Sequence, residues 1–287
     1  PQNWLFLSTY AKFRQGLLNT DAWHVIATLG EGGFESAKAA GAFTAMIVLS
    51  AHTPNQNSDF AGIDVSNKNG ASEKNSALCV ETLVYCTQSA QINNPDARIT
   101  LEAQSSFPLL KKYATAFQGI ATGDYSHFGR CFWELPIISS PWAFQQSTVL
   151  ETKLYGGREG IFLWEDGRGE LTKIDQARVQ GLEAVGKVGI AVSQMRSLDC
   201  TLFTGQYFDN NTSAMVVRDP SHWVAIWTFC SSHDFHKSVR QIDQKVSVTN
   251  ATLVKIPFDL THWQKVAEEK YPNGLPKPFS NDPTQWL

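Results

Sequence analysis

Two groups of residues have spacings that suggest chemistry. The first is GEGGF at 30–34, directly behind the apolar run WHVIATL at 23–29. A glycine-rich phosphate loop needs a full helix straight after it, so that the helix N-terminus faces the pyrophosphate, and an acidic residue about 20 positions further on. The next apolar run, FTAMIVLSA, begins at Phe43, nine positions beyond Phe34. That is too short for a crossover helix of a dozen or more residues. The two runs are therefore expected to pair as an antiparallel hairpin with an irregular loop. The second group is Cys230, His233 and His236, with His262 as a distant fourth. It lacks a CxxC pair and matches none of the structural zinc spacings, so a helix end is its expected role. Asp219 and His222 are suited to be acid and base, but nothing beside them is a nucleophile. No catalytic residue and no metal ligand is assigned.

The elements that must position any site follow from pattern. At 287 residues and 43% hydrophobic content, the chain is long enough for one large domain or two ordinary ones. No run approaches the roughly 18 to 20 apolar residues of a membrane helix, and no signal peptide opens the chain. Cys79, Cys86, Cys131, Cys200 and Cys230 are scattered and odd in number, which suits reduced thiols, so a cytoplasmic location without a membrane partner is expected. Residues 1–52 have an α/β rhythm. An apolar strand end at Asn3–Leu7 leads into an amphipathic helix with Tyr10, Phe13, Leu17 and Leu18 on one side and Lys12, Arg14 and Gln15 between them. The two hairpin strands follow.

Residues 53–75 are rich in Asn, Ser, Gly and Asp and read as a linker, before a helix expected from Ser76 to Ile92. From 105 onward the pattern is mixed: strands at 160–166, 188–195, 200–208 and 213–218, then a helical stretch from Ser221 to Gln241 that breaks near Ser231 and Ser232. The chain opens at Pro1 inside an apolar run and stops at Trp286-Leu287, which reads as a piece of a longer polypeptide. Net charge is −3, which argues against a generic phosphate binder. Any DNA binding then depends on local patches and base contacts.

The stretch PQNWLFLSTYAKFRQGLL, then WHVIATLGEGGFES, then AFTAMIVLS resembles the end of the catalytic domain in gamma-class N6-adenine DNA methyltransferases. The similarity is to the BREX-type phage-defence enzymes and to the type II restriction enzymes that fuse methylation with cleavage. FQGIATGDYSHFGRCFWE (117–134), YGGREGIFLWEDGRGEL (155–171), SQMRSL (193–198) and IDQKVSVTNATLVKIPFDLTHW (242–263) are similar to the family's target-recognition region. The resemblance implies an α/β fold: the end of a doubly wound methyltransferase sheet with a β-hairpin edge over 1–52, a linker and helix over 53–104, and a mixed α+β target-recognition domain over 105–287. It implies S-adenosylmethionine as cofactor, double-stranded DNA as partner, and other restriction or phage-defence proteins as candidate associates.

Phe34 stands where the family carries an aromatic residue that packs on the adenine rotated out of the duplex. Extrusion costs a few kcal/mol of stacking and pairing, and an aromatic face recovers part of it. An ordinary core phenylalanine is the alternative. The family's Gly-x-Gly cofactor loop and its Asn/Asp-Pro-Pro-aromatic tetrapeptide are absent, and the sequence contains no Pro-Pro. In the family both lie upstream of the segment resembling Pro1. The fragment alone is therefore expected to be inactive, with the cofactor bound mainly by residues outside it.

The remaining candidates lie in the second resemblance. Gly123 permits positive φ and Asp124 can cap a turn, so Thr122-Gly123-Asp124 makes a tight loop able to aim Thr122 or Tyr125 at a phosphate. Tyr125 stands where the family usually has Asn. Arg130, Arg158 and Arg196 are candidates to pair bidentately with guanine, and Gln194 and Asn250 with adenine. Lys245 belongs to a stretch, Gln244 to Pro257, that resembles the point in type I specificity subunits where a polar loop feeds a strand ending in Ile-Pro. For each Arg the alternative is a surface ion pair. A non-catalytic DNA specificity subunit is the alternative for the whole chain. Another is a sugar- or peptide-binding module built on Trp133, Trp142 and Trp164.

Overall fold

The computed structural model describes residues 1–36, 41–101, 107–195, 197–243 and 245–286. The chain divides into two compact units, Pro1–Ser106 and Phe107–Leu287. The first contains α1 (Ala11–Thr20), β1 (Ala22–Gly30), β2 (Thr44–Ser50), β3 (Asp59–Asp64), α2 (Gly70–Val80), β4 (Val84–Thr87) and α3 (Gln88–Gln91). Its sheet has the order β2-β1-β3-β4. As the short connection dictates, β1 and β2 pair antiparallel, with Ile26 opposite Ile47. β3 runs parallel to β1, and β4 antiparallel to β3. This is an α/β unit with a hairpin at one edge of a mixed sheet.

Three expectations for this unit need correction. The stretch read as a linker contributes an inner strand: Phe60, Ile63 and Val65 are buried, and the Asn- and Ser-rich residues on either side are its turns. The helix expected from Ser76 to Ile92 starts earlier and stops at Val80, because Lys74 reaches back to the carbonyls of Val65 and Ser66 at 3.1 and 3.2 Å and fixes it there. The Thr-Leu-Val-Tyr run that follows favours strand over helix, and Val84–Thr87 forms β4. Asn3–Leu7 is not a strand end but a pair of 3₁₀ turns, since the carbonyls of Trp4 and Leu7 accept from Arg14 rather than from a neighbouring strand.

Arg14 also reverses the expected helix face. It is fully buried while Phe13 and Tyr10 are exposed, so the periodicity of α1 is used with a cation on the inside. The end of α1 is spliced to β1 by Gln88, whose Nε2 donates to the carbonyls of Leu18 and Asp21 and whose Oε1 accepts from Trp23 N.

The second unit contains β5 (Ala114–Gln118), α4 (Tyr125–Phe128), β6 (Gly129–Cys131), β7 (Trp142–Gln146), β8 (Gly160–Leu163), β9 (Gly189–Ser193), β10 (Cys200–Phe203), β11 (Tyr207–Phe208) and β12 (Thr212–Val217), then α5 (Trp223–Cys230), α6 (His233–Ile242), α7 (Asn250–Leu253) and α8 (Leu260–Lys270). They form two four-stranded sheets, β10-β9-β12-β5 and β11-β7-β8-β6. The first is antiparallel throughout, and every residue of β9, β10 and β12 is buried. Ile190, Val192 and Met215 from it share a core with Ile226, Phe229, Phe235, Val239 and Trp263 of the helices. The helical break falls where the two serines predict it, with Ser232 capping α6 through a bond from Phe235 N. The second sheet packs Phe162 against Phe128, Trp164 and Leu171.

Cys230 ends α5 in the core, and its buried thiol is pushed well above its ordinary pKa by desolvation. His233 and His236 stack on the first turn of α6, and among the described residues no three His, Cys, Asp or Glu come together as a metal site. No helix among them is long and apolar enough to cross a membrane.

Candidate nucleic-acid interface

Phe34 sits at the tip of the β1–β2 loop, and its ring is 48% exposed. The loop is rooted from both sides. Gly30 has φ +65° and lies so close to Ser66 that an added Cβ would stand 2.8 Å from the serine Cβ. Its N–H donates to Oε1 of the buried Gln2 at 3.0 Å. Gly32, at φ +75°, passes against the stem of Lys74. The glycines thus serve close packing of a loop on the β3–α2 turn, and the aromatic ring stands beyond that fixed base.

In the second unit the Thr-Gly-Asp turn is tight, as expected. Gly123 has φ +74°, and a Cβ there would stand 2.7 Å from Gln176 Cβ and 2.8 to 2.9 Å from its backbone C and O. Asp124 caps α4 through His127 N at 3.0 Å. An open depression of about 510 Å³ lies beside the turn, lined by Gly123, Asp124, His127, Phe128, Glu170, Ile174 and Gln176. His127 Nε2 and Glu170 Oε2 are 3.3 Å apart on its rim. Glu170 and Gln176 were not legible as neighbours of the turn, because the segment that brings them there is about fifty residues downstream and irregular.

Gly123→Ala is expected to cost about 1 to 3 kcal/mol, because strain and a backbone collision coincide. Gly16→Ala, at a helical glycine with open space around it, is expected to stabilise by up to about 1 kcal/mol. Thermal melts of the two variants should move in opposite directions, and a common direction would refute this account of the turn.

The other candidates separate. Thr122 is buried and cannot offer its hydroxyl to a phosphate. Tyr125 is 55% exposed. A Cβ on Gly129 would stand 2.4 to 2.6 Å from three adjacent carbons of its ring, so the ring lies face-on over that glycine. Burial pushes the Tyr125 hydroxyl up in pKa, and Cys131, Asp209 and Glu134 add to the shift; such acidic surroundings disfavour a phosphate.

Arg130 is half-buried, gives Nη1 to the carbonyls of Ser126 and Gly129 at 2.7 and 2.5 Å, and lies 5.9 Å over the Trp142 ring. Arg158 is corrected from base reader to structural residue. It is 2% exposed, donates to the carbonyls of Gly156 and Leu202, and is covered by the Trp286 ring at 4.7 Å. Desolvation lowers its pKa to about 10. Arg196 lies outside the described residues.

Two candidates, Gln194 and Lys245, lie on loops that are joined. Met195 bridges Ser247, and Val248 N donates to Gln194 O at 2.8 Å, so the loop after β9 is tied to the loop after α6. Lys245 is exposed on the second loop, while the Gln194 side chain is buried beneath it with Nε2 unpartnered. Asn250 opens α7 and gives Nδ2 to Ala116 O in the middle of β5. The strand expected before Ile256-Pro257 is instead this short helix and a single bridge from Pro257 to Leu109, because the carbonyls of Val254 and Ile256 accept from Lys111 N and Leu110 N. Gln194 N also donates to Asn211 O at 3.2 Å, which adds the β11–β12 turn to the same end of the sheet.

With this geometry in place, comparison with known proteins finds a likeness among solved structures. The chain is similar to a restriction-modification enzyme. That protein is the type IIL enzyme MmeI in complex with DNA, at 12% identity and a TM-score of 0.46. The match covers 88% of this chain and 39% of that one, so the chain spans well under half the length of MmeI. No family model and no curated protein matches. Trp164 is buried and Trp142 half-buried, leaving Trp133, at 59% exposure, as the exposed member of the three tryptophans considered as a platform.

Proposed function

We propose that this chain is the recognition part of a site-specific DNA adenine-N6 methyltransferase serving a restriction-modification or phage-defence system. The observation that carries the reading is Phe34, an aromatic ring held out of the core on a loop rooted by Gln2, Ser66 and Lys74. A ring so placed can receive an extruded adenine and recover part of its lost stacking. Among the described residues no strand pairs with the outer edge of β2, whose backbone groups are thus open to a further strand. Met46 and Val48 are exposed on one face of the same strand.

Gly30 and Gly32 of the β1–β2 loop pack on Ser66 and the stem of Lys74. In this reading the cofactor is held by residues outside the chain. The second unit then grips the duplex, and the intact protein transfers the methyl group. A non-catalytic DNA specificity subunit is the second reading.

Single-molecule methylome sequencing of the host, with the full gene present and deleted, tests the proposal. One adenine motif should lose its mark on deletion, and if every motif keeps it the methyltransferase reading fails.

A further inference from the structure

The β11–β12 turn, Asp209-Asn210-Asn211-Thr212, carries two asparagines whose side chains the fold does not use. Asparagine is common in turns for two reasons: it tolerates positive φ, and its side chain bonds to nearby backbone. Neither applies here. Asn210 and Asn211 are absent from the residues at positive φ, and the turn is held by Asp209, which accepts from Asn211 N at 3.1 Å, Thr212 N at 3.0 Å and the Thr212 hydroxyl at 2.8 Å. Ser147 donates to the other oxygen of Asp209 at 2.5 Å, and Gln118 Nε2 binds Asn210 O at 3.0 Å. The backbone is fixed from four directions while both amides are exposed and make no hydrogen bond among the described residues.

This rigid turn adjoins the paired loops that carry Lys245 and, beneath them, the unpartnered amide of Gln194. The carboxylates of these loops accept hydrogen bonds from neighbouring groups. Asp199 accepts from Ser197 and Thr152, Asp209 as described, and Asp243 from Lys245 N at 3.0 Å. The end of the sheet therefore presents amides, a lysine and two exposed apolar side chains, Met195 and Val246, beside carboxylates that already accept hydrogen bonds from the chain.

We propose that Asn210 and Asn211 are specificity-determining residues that read adenine edges in the major groove, an inference that rests on the DNA-recognition reading above. An asparagine amide accepts from adenine N6–H and donates to N7, and one such pair is worth a preference of about 5- to 150-fold over a wrong base. Holding the backbone while leaving the amide uncommitted suits such a pair, since little backbone freedom remains to be lost on binding and no existing bond of the amide has to break.

The test is selection of bound duplexes from a random-sequence DNA pool by the 287-residue chain and by Asn210→Ala, Asn211→Ala and the double variant. The unmodified chain should enrich a motif. The variants should lose adenine preference at one or two positions, keep their melting temperature, and keep affinity for random duplex within a few-fold. Replacing those adenines with 7-deazaadenine should weaken the unmodified chain and leave the variants unaffected. If the variants enrich the same motif with the same base frequencies, the inference falls and DNA recognition stands. If the unmodified chain retains no duplex, both fall.

Discussion

Phe34→Ala in the intact methyltransferase should lower methyl transfer about 10- to 100-fold while leaving duplex affinity within a few-fold. The size follows from the worth of an aromatic face to one unstacked base, about 1 to 3 kcal/mol. The asymmetry follows from position. Phe34 is a single ring on a loop of the first unit, and the loops expected to hold the duplex belong to the second. Phe34→Tyr and Phe34→Trp should retain most activity, because each keeps a flat face, whereas Phe34→Leu keeps apolar area and should behave like alanine. Rates on an oligonucleotide carrying the motif, set beside gel-shift affinities, decide it. Equal loss of rate and affinity would make Phe34 a docking residue, and no loss of either would remove it from the site. The rooted glycines supply a control. Gly30→Ala places a Cβ 2.8 Å from Ser66 Cβ, so it should displace the ring without removing it, and lower the rate in the same asymmetric way.

How much of this was legible in the sequence depends on what each residue answers to. The hairpin was legible because chain length limits topology: the gap after Phe34 is too short for a crossover. The break at Ser231-Ser232 was legible because a serine cap is a local device, and Ser232 makes that bond. β3 was missed because its apolar residues, Phe60 and Ile63, are few and lie amid turn formers; pairing with β1, more than thirty residues earlier, makes it a strand. Arg158 was read as a base reader because sequence shows charge and not enclosure, and what encloses it is Trp286, more than a hundred residues away. Asn210 and Asn211 have no signal in the sequence that marks them from other turn asparagines. Only the backbone angles and the bonds of Asp209 show that the turn has no use for their amides. Local chemistry was readable, then, and long-range assignment was not.

Arg14 shows the same limit with the largest consequence for stability. Its guanidinium donates to Ala97 O at 3.0 Å, Leu7 O at 2.8 Å and Asp96 O at 2.7 Å, and also to Trp4 O. One side chain thus ties α1 to the 3₁₀ turns before it and to the 94–98 turn. There Asp96 and Ala97 adopt φ of +58° and +50°, a region that costs a non-glycine residue about 1 to 2 kcal/mol each. Arg14→Met keeps the apolar stem and removes every donor, so the carbonyls of Trp4, Asp96 and Ala97 lose their side-chain partner while Leu7 O keeps its bond from Tyr10 N. A loss of about 3 to 5 kcal/mol is expected, comparable to breaking a buried ionic contact and a large share of a typical domain's stability. Arg14→Lys should recover part of it, since an ammonium has three donors and no planar fork.

The first unit should therefore become protease-sensitive in Arg14→Met while the second keeps its cooperative melt. An unchanged unfolding midpoint for the first unit would mean that the clamp contributes little. The pH dependence has a definite sign. Burial, with Arg98 nearby, lowers the folded pKa to about 10 from 12.5. Both states hold the proton below about pH 9, so Arg14 adds no slope there; above it the unfolded chain binds more proton, and the contribution of this group to stability rises with pH. A loss of stability confined to the neutral range must then come from another residue, and Arg14→Met should leave that loss unchanged.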